Sequence, residues 1–121
     1  MSARSEAAEQ VKVVRRLKYA RLLFCAIPNG LETTVGATRT MHAEGLVPGA
    51  PDLMIFTPPP ARPDLRGVAL EMKRVGARDS DWRDNQREWA RRLENECGWV
   101  YLLGKGSDDA VAKLRALGYE V

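Results

Sequence analysis

Two carboxylates and one ammonium lie on apolar segments that are predicted to form neighbouring strands. Asp52 begins the run DLMIF, and Glu71 and Lys73 belong to the run VALEMK. Because side chains alternate between the two faces of a strand, Glu71 and Lys73 share one face and Met72 lies on the other. If the two runs form a hairpin, Asp52 comes to lie beside Glu71 and Lys73 at one end of the sheet.

Charges of this kind are costly to hold close together beside a core unless they pair or bind a cation. Two carboxylates with open positions around them match the octahedral oxygen coordination that Mg²⁺ prefers. A cation held there could polarise a phosphate oxygen and activate a water, while Lys73 stabilises charge that develops on phosphorus. The residues alone leave a second interpretation open, in which Glu71 and Lys73 form an exposed polar edge and Asp52 merely starts a strand.

A glutamine interrupts the apolar stripe of a predicted helix at 81–97. Gln86 falls between Trp82 and Trp89, and the stripe continues through Leu93. A polar side chain in such a stripe needs a partner, and the charged end of the sheet would supply one. The alternative is a buried glutamine bonded to backbone.

The elements that must position these residues can be predicted from hydrophobic period, caps and turn residues. Ser5 is predicted to cap the first helix, Ser107 the last, and Gly98 and Gly118 to follow helix ends. The predicted elements are a helix at 5–21, a strand at 22–28 closed by Pro28-Asn29-Gly30, an uncertain helix near 36–44, strands at 52–56 and 68–73 joined by a Pro-rich hairpin loop, a helix at 81–97, a strand at 99–103 and a helix at 107–117. The predicted order is α-β-β-β-α-β-α, an α/β fold with a small mixed sheet flanked by helices.

Length and composition restrict the class of protein. The 121 residues suit one domain, and no apolar run approaches the roughly 20 residues that span a bilayer. The polar N-terminus lacks a signal peptide, so we expect a cytoplasmic protein. Cys25 and Cys97 are too far apart in sequence for a zinc motif and are expected in or near the core. His42, the single histidine, argues against histidine-metal nucleases and is expected in a loop.

The formal charge of +3 and the pI near 9.1 favour an anionic partner weakly. Arg62 and Arg66, in or beside the Pro-rich loop, are predicted to meet a phosphate backbone. Arg83, Arg87 and Arg91 lie four apart on one helix face, which favours a solvated face over a phosphate-contacting stripe. Such contacts would recognise the shape of a nucleic acid rather than its base sequence.

An ordered series of motifs gives the chain a family resemblance. The matching stretches are SEAAEQ, AIPNG, EGLVPGAPDLMIF, ALEMKR, NQREW and the closing GWVYLL…LGYEV. Over nearly its full length the chain resembles a VRR-NUC domain, the virus-type replication-repair nuclease branch of the PD-(D/E)xK superfamily. The resemblance implies a single nuclease domain over residues 1–121 with a restriction-endonuclease-like fold.

The resemblance also implies roles for individual residues. The implied metal ligands are Asp52, Glu71 and the Met72 carbonyl, with Mg²⁺ or Mn²⁺ as the cofactor, and Lys73 is the implied catalytic lysine. Gln86 and a glutamate of the first helix complete the implied catalytic set; Glu6 matches better than Glu9. Asn29 matches the Pro-Asn-Gly turn of the family, and Arg39 matches a basic residue usually found nearby. With Arg62 and Arg66 from the Pro-rich loop, these two are the predicted nucleic-acid contacts.

Standalone domains of this family resemble phage and bacterial proteins linked to branched DNA, including Holliday junctions. A four-way junction has two-fold symmetry, and paired cuts need two active sites, whereas this chain carries one. A homodimer is therefore expected, in a bacterial or phage-infected cell. Two other interpretations stay open: a monomeric flap, nick or end nuclease, and a catalytically inactive DNA-binding accessory protein.

Overall fold

The computed structural model describes residues 3–28 and 35–121. Its elements, in chain order, are α1 (Ala3–Tyr19), β1 (Phe24–Ala26), α2 (Val35–Ala43), β2 (Leu53–Ile55), β3 (Val68–Lys73), a 3-10 turn (Asp79–Asp81), α3 (Asp84–Glu96), β4 (Val100–Lys105) and α4 (Ser107–Ala116). The predicted α/β class and the mixed sheet flanked by helices are confirmed. The predicted order omits α2, although the sequence left a helix near 36–44 open, and the structure has this helix at Val35–Ala43.

The sheet has the strand order β1-β2-β3-β4. The first three strands are antiparallel neighbours, and β4 runs parallel to β3. The β2–β3 hairpin pairs Leu53 with Leu70, so Asp52 comes just beyond the paired residues, next to Glu71. The predicted hairpin therefore places the two carboxylates at the same end of the sheet.

The two faces of β3 have different surroundings, although every side chain of the strand is buried. Val68, Leu70 and Met72 belong to a core formed with α1 and α4. Alternation along the strand turns Glu71 and Lys73 to the opposite face, toward α3. The buried apolar face anchors the strand, and the same strand carries two charged groups into a confined position.

Both predicted serine caps are wrong. Helix α1 begins at Ala3, so Ser5 lies within its first turn. Ser107 is the first residue of α4 rather than its cap, because Gly106 occupies the cap position with φ +91°. The Glu9 carboxylate of α1 satisfies the start of α4 by accepting hydrogen bonds from the Ser107 N–H at 3.0 Å and its hydroxyl at 3.2 Å. Gly98 and Gly118 follow α3 and α4 as predicted.

Three smaller expectations are also corrected. Cys25 and Cys97 are exposed rather than in the core. Cys25 lies on the edge strand β1, and Cys97 follows the last turn of α3. His42 lies in α2 rather than in a loop. In the part of the chain that the structure describes, no helix has the length and apolar character needed to cross a membrane.

Candidate active site

Asp52 is fixed by the point at which β2 begins. Because β2 starts at Leu53, the Met72 N–H lies beyond the paired part of the β2 edge. The Asp52 carboxylate takes that position and accepts the Met72 N–H through Oδ2 at 2.7 Å. In a strand the N–H and C=O of one residue point to the same edge, so the Met72 carbonyl also faces the Asp52 side.

Glu71 is one of very few buried charged residues in the described chain, with 4% of its surface exposed. Its Oε2 accepts a hydrogen bond from Gln86 Nε2 at 3.1 Å and lies 3.9 Å from Lys73 Nζ. Its Oε1 is buried and receives no hydrogen bond. A buried polar atom without a donor is costly, so this oxygen is the clearest sign of a missing positive partner.

A single amide positions both charged groups of β3. Gln86 Oε1 accepts hydrogen bonds from Lys73 Nζ and from the Arg83 N–H, each at 3.0 Å. Its Nε2 donates to Glu71. The amide is therefore fixed at the start of α3 and holds the ammonium and the carboxylate at a set separation. This explains why a polar residue interrupts the apolar stripe of the helix.

The surroundings of the two carboxyls raise the pKa of each of them. Burial, and then the negative charge of Asp52, raise the pKa of Glu71 to about 9. Burial also raises the pKa of Asp52, against the hydrogen bond from the Met72 N–H, which lowers it. The two carboxyls lie close enough together that the charge of Asp52 acts on Glu71. Both groups could therefore be ionised together only with an additional positive charge beside them.

The donor set suits a hard divalent cation. Mg²⁺ is commonly held by one or two carboxylates together with waters and substrate phosphate, not by a full cage of side chains. Such a partial set is provided by the carboxylates of Asp52 and Glu71, together with the edge of β3 that bears the Met72 carbonyl. Within residues 3–28 and 35–121, no group of three or more His, Cys, Asp or Glu side chains comes together as a metal cluster. The residues present therefore fit Mg²⁺ or Mn²⁺ better than zinc.

The structure separates the roles of the two glutamates on α1. Glu6 lines the same cleft as Asp52 and Glu71, and its negative charge contributes to raising the pKa of both. Glu9 faces α4, where it bonds Ser107, and also pairs with Lys12 at 2.8 Å. Of the two glutamates considered from the sequence, only Glu6 faces the candidate site.

The carboxylates open into a cleft of about 840 Å³ between α1, the loop before β2 and the start of α3. Gly49 forms part of its wall in a backbone conformation, φ +89°, that favours glycine. A Cβ atom on Gly49 would lie 2.9 Å from backbone and side-chain atoms of Asn85. This close approach joins the loop to α3 and sets the width of the cleft.

Two arginines that sequence reasoning did not assign to the site also line this cleft. Arg74 follows the last residue of β3 and is held by an ion pair with Asp81 at 3.3 Å. Arg83 precedes α3 and stands three residues before Gln86. The position of Arg83 three residues before Gln86 could have indicated from sequence that it lines the cleft. Arg74 follows the end of β3, where strand alternation no longer predicts the direction of a side chain.

Of the other predicted nucleic-acid contacts, the three that the structure describes do not line the cleft. Asn29 lies outside the described residues. Arg39 lines a separate pocket of about 350 Å³ on α2. Arg62 pairs with Asp64 at 2.9 Å, and the Arg66 N–H donates to Gly98 in the loop at the other end of the β2–β3 hairpin. The phosphate contacts of Arg62 and Arg66 stay predictions, and both residues lie far from the carboxylates.

The arginines on α3 also differ from one another. Arg87 donates to the carbonyls of Trp82 and Asp79 and lies 4.4 Å from the centre of the Trp82 ring. Arg91 pairs with Glu88 at 2.6 Å. Both are therefore engaged within the protein. All three arginines, Arg83, Arg87 and Arg91, are nevertheless exposed, which agrees with the favoured prediction of a solvated face.

Comparison with known proteins identifies the fold. No protein-family model matches the chain, and no curated protein matches it. Among solved structures, one described as "VRR_NUC domain protein" superposes with a TM-score of 0.70 and 19% sequence identity, covering 94% of this chain and 88% of that chain. At this identity the likeness shows the fold. The predicted fold, an α/β domain like that of a VRR_NUC domain protein, is confirmed.

The raised pKa of Glu71 predicts how stability depends on pH. In the metal-free native state the Glu71 carboxyl keeps its proton up to about pH 9. In the unfolded chain the same carboxyl loses its proton near pH 4.5. Between pH 4.5 and 9 the native state therefore binds more protons than the unfolded state. The contribution of Glu71 to the free energy of unfolding is full below pH 4.5 and is lost as the pH rises toward 9. Glu71→Gln should therefore raise the Tm of metal-free protein, by at least about 5 °C at pH 8 and little at pH 4.5.

Thermal unfolding in EDTA at the two pH values measures this difference. Glu88→Gln is the matched control, because that exposed carboxylate pairs with Arg91, which lowers its pKa. The control should show no gain in Tm that grows with pH. An equal or smaller Tm for Glu71→Gln than for the wild type at pH 8 would contradict the description of this site.

Proposed function

We propose that this chain is a metal-dependent deoxyribonuclease that hydrolyses phosphodiester bonds with Mg²⁺ or Mn²⁺. One observation carries the proposal: the buried Glu71 Oε1 without a hydrogen-bond donor, beside Asp52 and in a cleft that also presents Lys73. A site that lacks one positive charge and opens to solvent is suited to a cation that binds together with a phosphate. The name of the structurally similar VRR_NUC protein agrees with this chemistry.

Each residue has a distinct task in the proposed reaction. A divalent cation, when bound, polarises the scissile phosphate and makes a water more acidic. Asp52 and Glu71 would hold that cation, and the negative charge of Glu6 would favour its binding. Lys73, fixed by Gln86, places its ammonium where it can stabilise negative charge as it develops on the phosphate. Because Gln86 also holds Glu71, the ammonium and the carboxylate keep one relative position through the reaction.

The proposed substrate is branched DNA, with Holliday junctions as the leading candidate. The support is the resemblance of the sequence motifs to VRR-NUC domains and the single carboxylate-lined cleft among the described residues. A monomeric nuclease of flaps, nicks or ends is the alternative enzyme. An inactive DNA-binding accessory protein is the alternative of another class, and the association of Asp52, Glu71, Lys73 and Gln86 in one cleft speaks against it.

A panel of labelled DNAs distinguishes these functions. Four-way junctions, flaps, nicked duplexes and linear duplexes are incubated with the protein in Mg²⁺ or Mn²⁺, and the products are resolved at nucleotide level. Paired symmetric cuts in the junction support the leading proposal. Cuts confined to flaps, nicks or ends favour the monomeric nuclease, and binding without any cleavage favours the accessory protein.

Paired cutting of a symmetric junction predicts a homodimer in solution. The described part of this 13.5 kDa chain presents one cleft lined by the two carboxylates, and a two-fold pair of chains would supply a second. Light scattering on the free protein should give a mass near twice that of the chain. A mass near 13.5 kDa at working concentration, with and without junction DNA, would instead support the monomeric alternative.

Arg83 is expected to contact substrate phosphate. Its side chain lines the cleft and forms no ion pair among the residues that the structure describes. Arg83→Ala should lower kcat/KM on DNA by about 10-fold to 100-fold, since a charge-assisted hydrogen bond contributes roughly 1.5–3 kcal/mol. Arg91→Ala on the same helix is the control, because Arg91 is engaged by Glu88. Equal losses in the two variants would show that Arg83 acts only through general charge.

A further inference from the structure

The second half of α1 and the turn after it carry a concentration of positive charge away from the cleft. Between Gln10 and Leu31 the sequence has five basic residues and no acidic one. Lys12 pairs with Glu9. The remaining four, which we name the α1 basic surface, are exposed and have no ion pair within the described part of the chain: Arg15, Arg16, Lys18 and Arg21. These four charges exceed the formal net charge of the whole protein, +3.

This surface lies toward the end of the molecule opposite the carboxylates. The first turns of α1 line the cleft through Glu6, and the helix then leads away from it. At 1.5 Å per residue, Lys18 lies about 18 Å from Glu6 along the helix axis. In the turn after the helix, the Leu23 N–H donates a hydrogen bond to the Thr57 hydroxyl at 2.8 Å. Thr57 belongs to the segment that follows β2. That segment begins the loop that carries Arg62 and Arg66.

We propose that the α1 basic surface binds the phosphate backbone of duplex DNA flanking the cleavage site. This inference rests on the proposed function for its substrate. A duplex whose scissile phosphate lies in the cleft and which follows α1 would meet the surface about five base pairs away, at 3.4 Å per base pair. Arg15 and Lys18 stand three residues apart on one helix face, so both can face a single backbone.

The chemistry of the surface favours a polyanion over an apolar partner. Its side chains are exposed cations without partners in the described structure, and Arg guanidiniums suit the geometry of phosphate oxygens. The neighbouring apolar residues Tyr19 and Leu23 are 92% and 69% exposed, but the four cations outnumber them. Of the two cavities described for this structure, neither is lined by these residues.

The test compares two variants that lose the same charge. Arg15→Gln with Lys18→Gln removes two cations of the surface. Arg91→Gln with Arg92→Gln removes two from α3, where Glu88 and Glu96 already pair them. Affinity for a 30-base-pair labelled duplex is measured in Ca²⁺ over a range of NaCl concentrations. The α1 variant should shallow the slope of log affinity against log salt by up to about two, and the control by much less.

A second measurement separates this surface from the active site. Hydrolysis of bis(p-nitrophenyl) phosphate in Mn²⁺ requires no flanking DNA, so the α1 variant should keep the wild-type rate. If the wild type cleaves nothing yet its binding slope depends on the α1 residues, the surface is supported and the proposed nuclease is not. If DNA is cleaved but both variants keep the wild-type slope, the surface is overturned and the nuclease stands.

Three other outcomes would also overturn the surface. Equal shallowing of the slope in the α1 variant and in the control would show a diffuse charge effect. A changed mass in light scattering with unchanged DNA affinity would identify the surface as a contact between copies. Loss of binding to vesicles containing phosphatidylserine, again with unchanged DNA affinity, would identify an anionic membrane as the partner.

Discussion

Asp52→Asn or Glu71→Gln is expected to lower the rate of DNA cleavage by more than about 10³-fold. Loss of a single charge-stabilising group at an active site costs on the order of 10²–10³ in rate, and loss of the bound cation costs more. Each replacement removes one negative charge from a pair that is already short of a positive partner, so the fold should be retained. For Glu71→Gln the new amide oxygen can still accept the hydrogen bond from Gln86.

The measurement is single-turnover cleavage at saturating Mn²⁺, with circular dichroism to verify folding. Glu88→Gln serves as the control, since it removes an exposed carboxylate on α3 that pairs with Arg91. It should cleave at close to the wild-type rate. A rate within tenfold of the wild type for either Asp52→Asn or Glu71→Gln would show that the reaction does not depend on this carboxylate pair.

Lys73→Met is expected to lower turnover by about 10²–10³ while Mn²⁺ binding remains measurable. An ammonium has no lone pair for a metal, so its loss should affect the chemical step more than the binding of the cation. Methionine fills a similar volume on a strand where Lys73 is 8% exposed. Glu71 and Gln86 keep their mutual hydrogen bond, so the carboxylate stays in position.

Calorimetry with Mn²⁺ and single-turnover cleavage distinguish the two effects. Lys113→Met is a matched control, because Lys113 is also partly buried and bonds the Leu103 carbonyl and Asp109, outside the cleft. It should leave both binding and turnover unchanged. Abolished Mn²⁺ binding in Lys73→Met would mean that the lysine maintains the metal site instead of acting on the phosphate.

The central hairpin could be predicted from sequence because its signals are local. The apolar runs that contain Asp52 and Glu71 are each short enough to be a single strand. The Pro-rich segment between them is predicted to be a hairpin loop, so the two strands are expected to pair. The predicted bounds of β3 agree with Val68–Lys73. Strand alternation then places Glu71 and Lys73 on one face, and the interrupted stripe of α3 indicates Gln86. The geometry that joins these residues thus follows from hydrophobic period alone.

The features that could not be predicted depend on contacts between distant segments. The start of α4 is satisfied by Glu9, 98 residues away in sequence, so a cap assigned from neighbouring residues was wrong. Cys25 is exposed because β1 is an edge strand, and its apolar run does not reveal sheet order. Arg74 and Arg83 reach the cleft through the ends of β3 and α3, where side-chain direction depends on tertiary packing.

Metal dependence of cleavage by the wild-type protein tests the central claim most directly. Purified protein is treated with EDTA, dialysed, and incubated with a labelled four-way junction alone, with Mg²⁺, and with Mn²⁺. We expect no product without a divalent cation and full recovery of cleavage when either cation is returned. We also expect no product from an Asp52→Asn preparation purified in parallel. Cleavage that continues undiminished in EDTA, or that persists in the Asp52→Asn preparation, would contradict the assignment of this site.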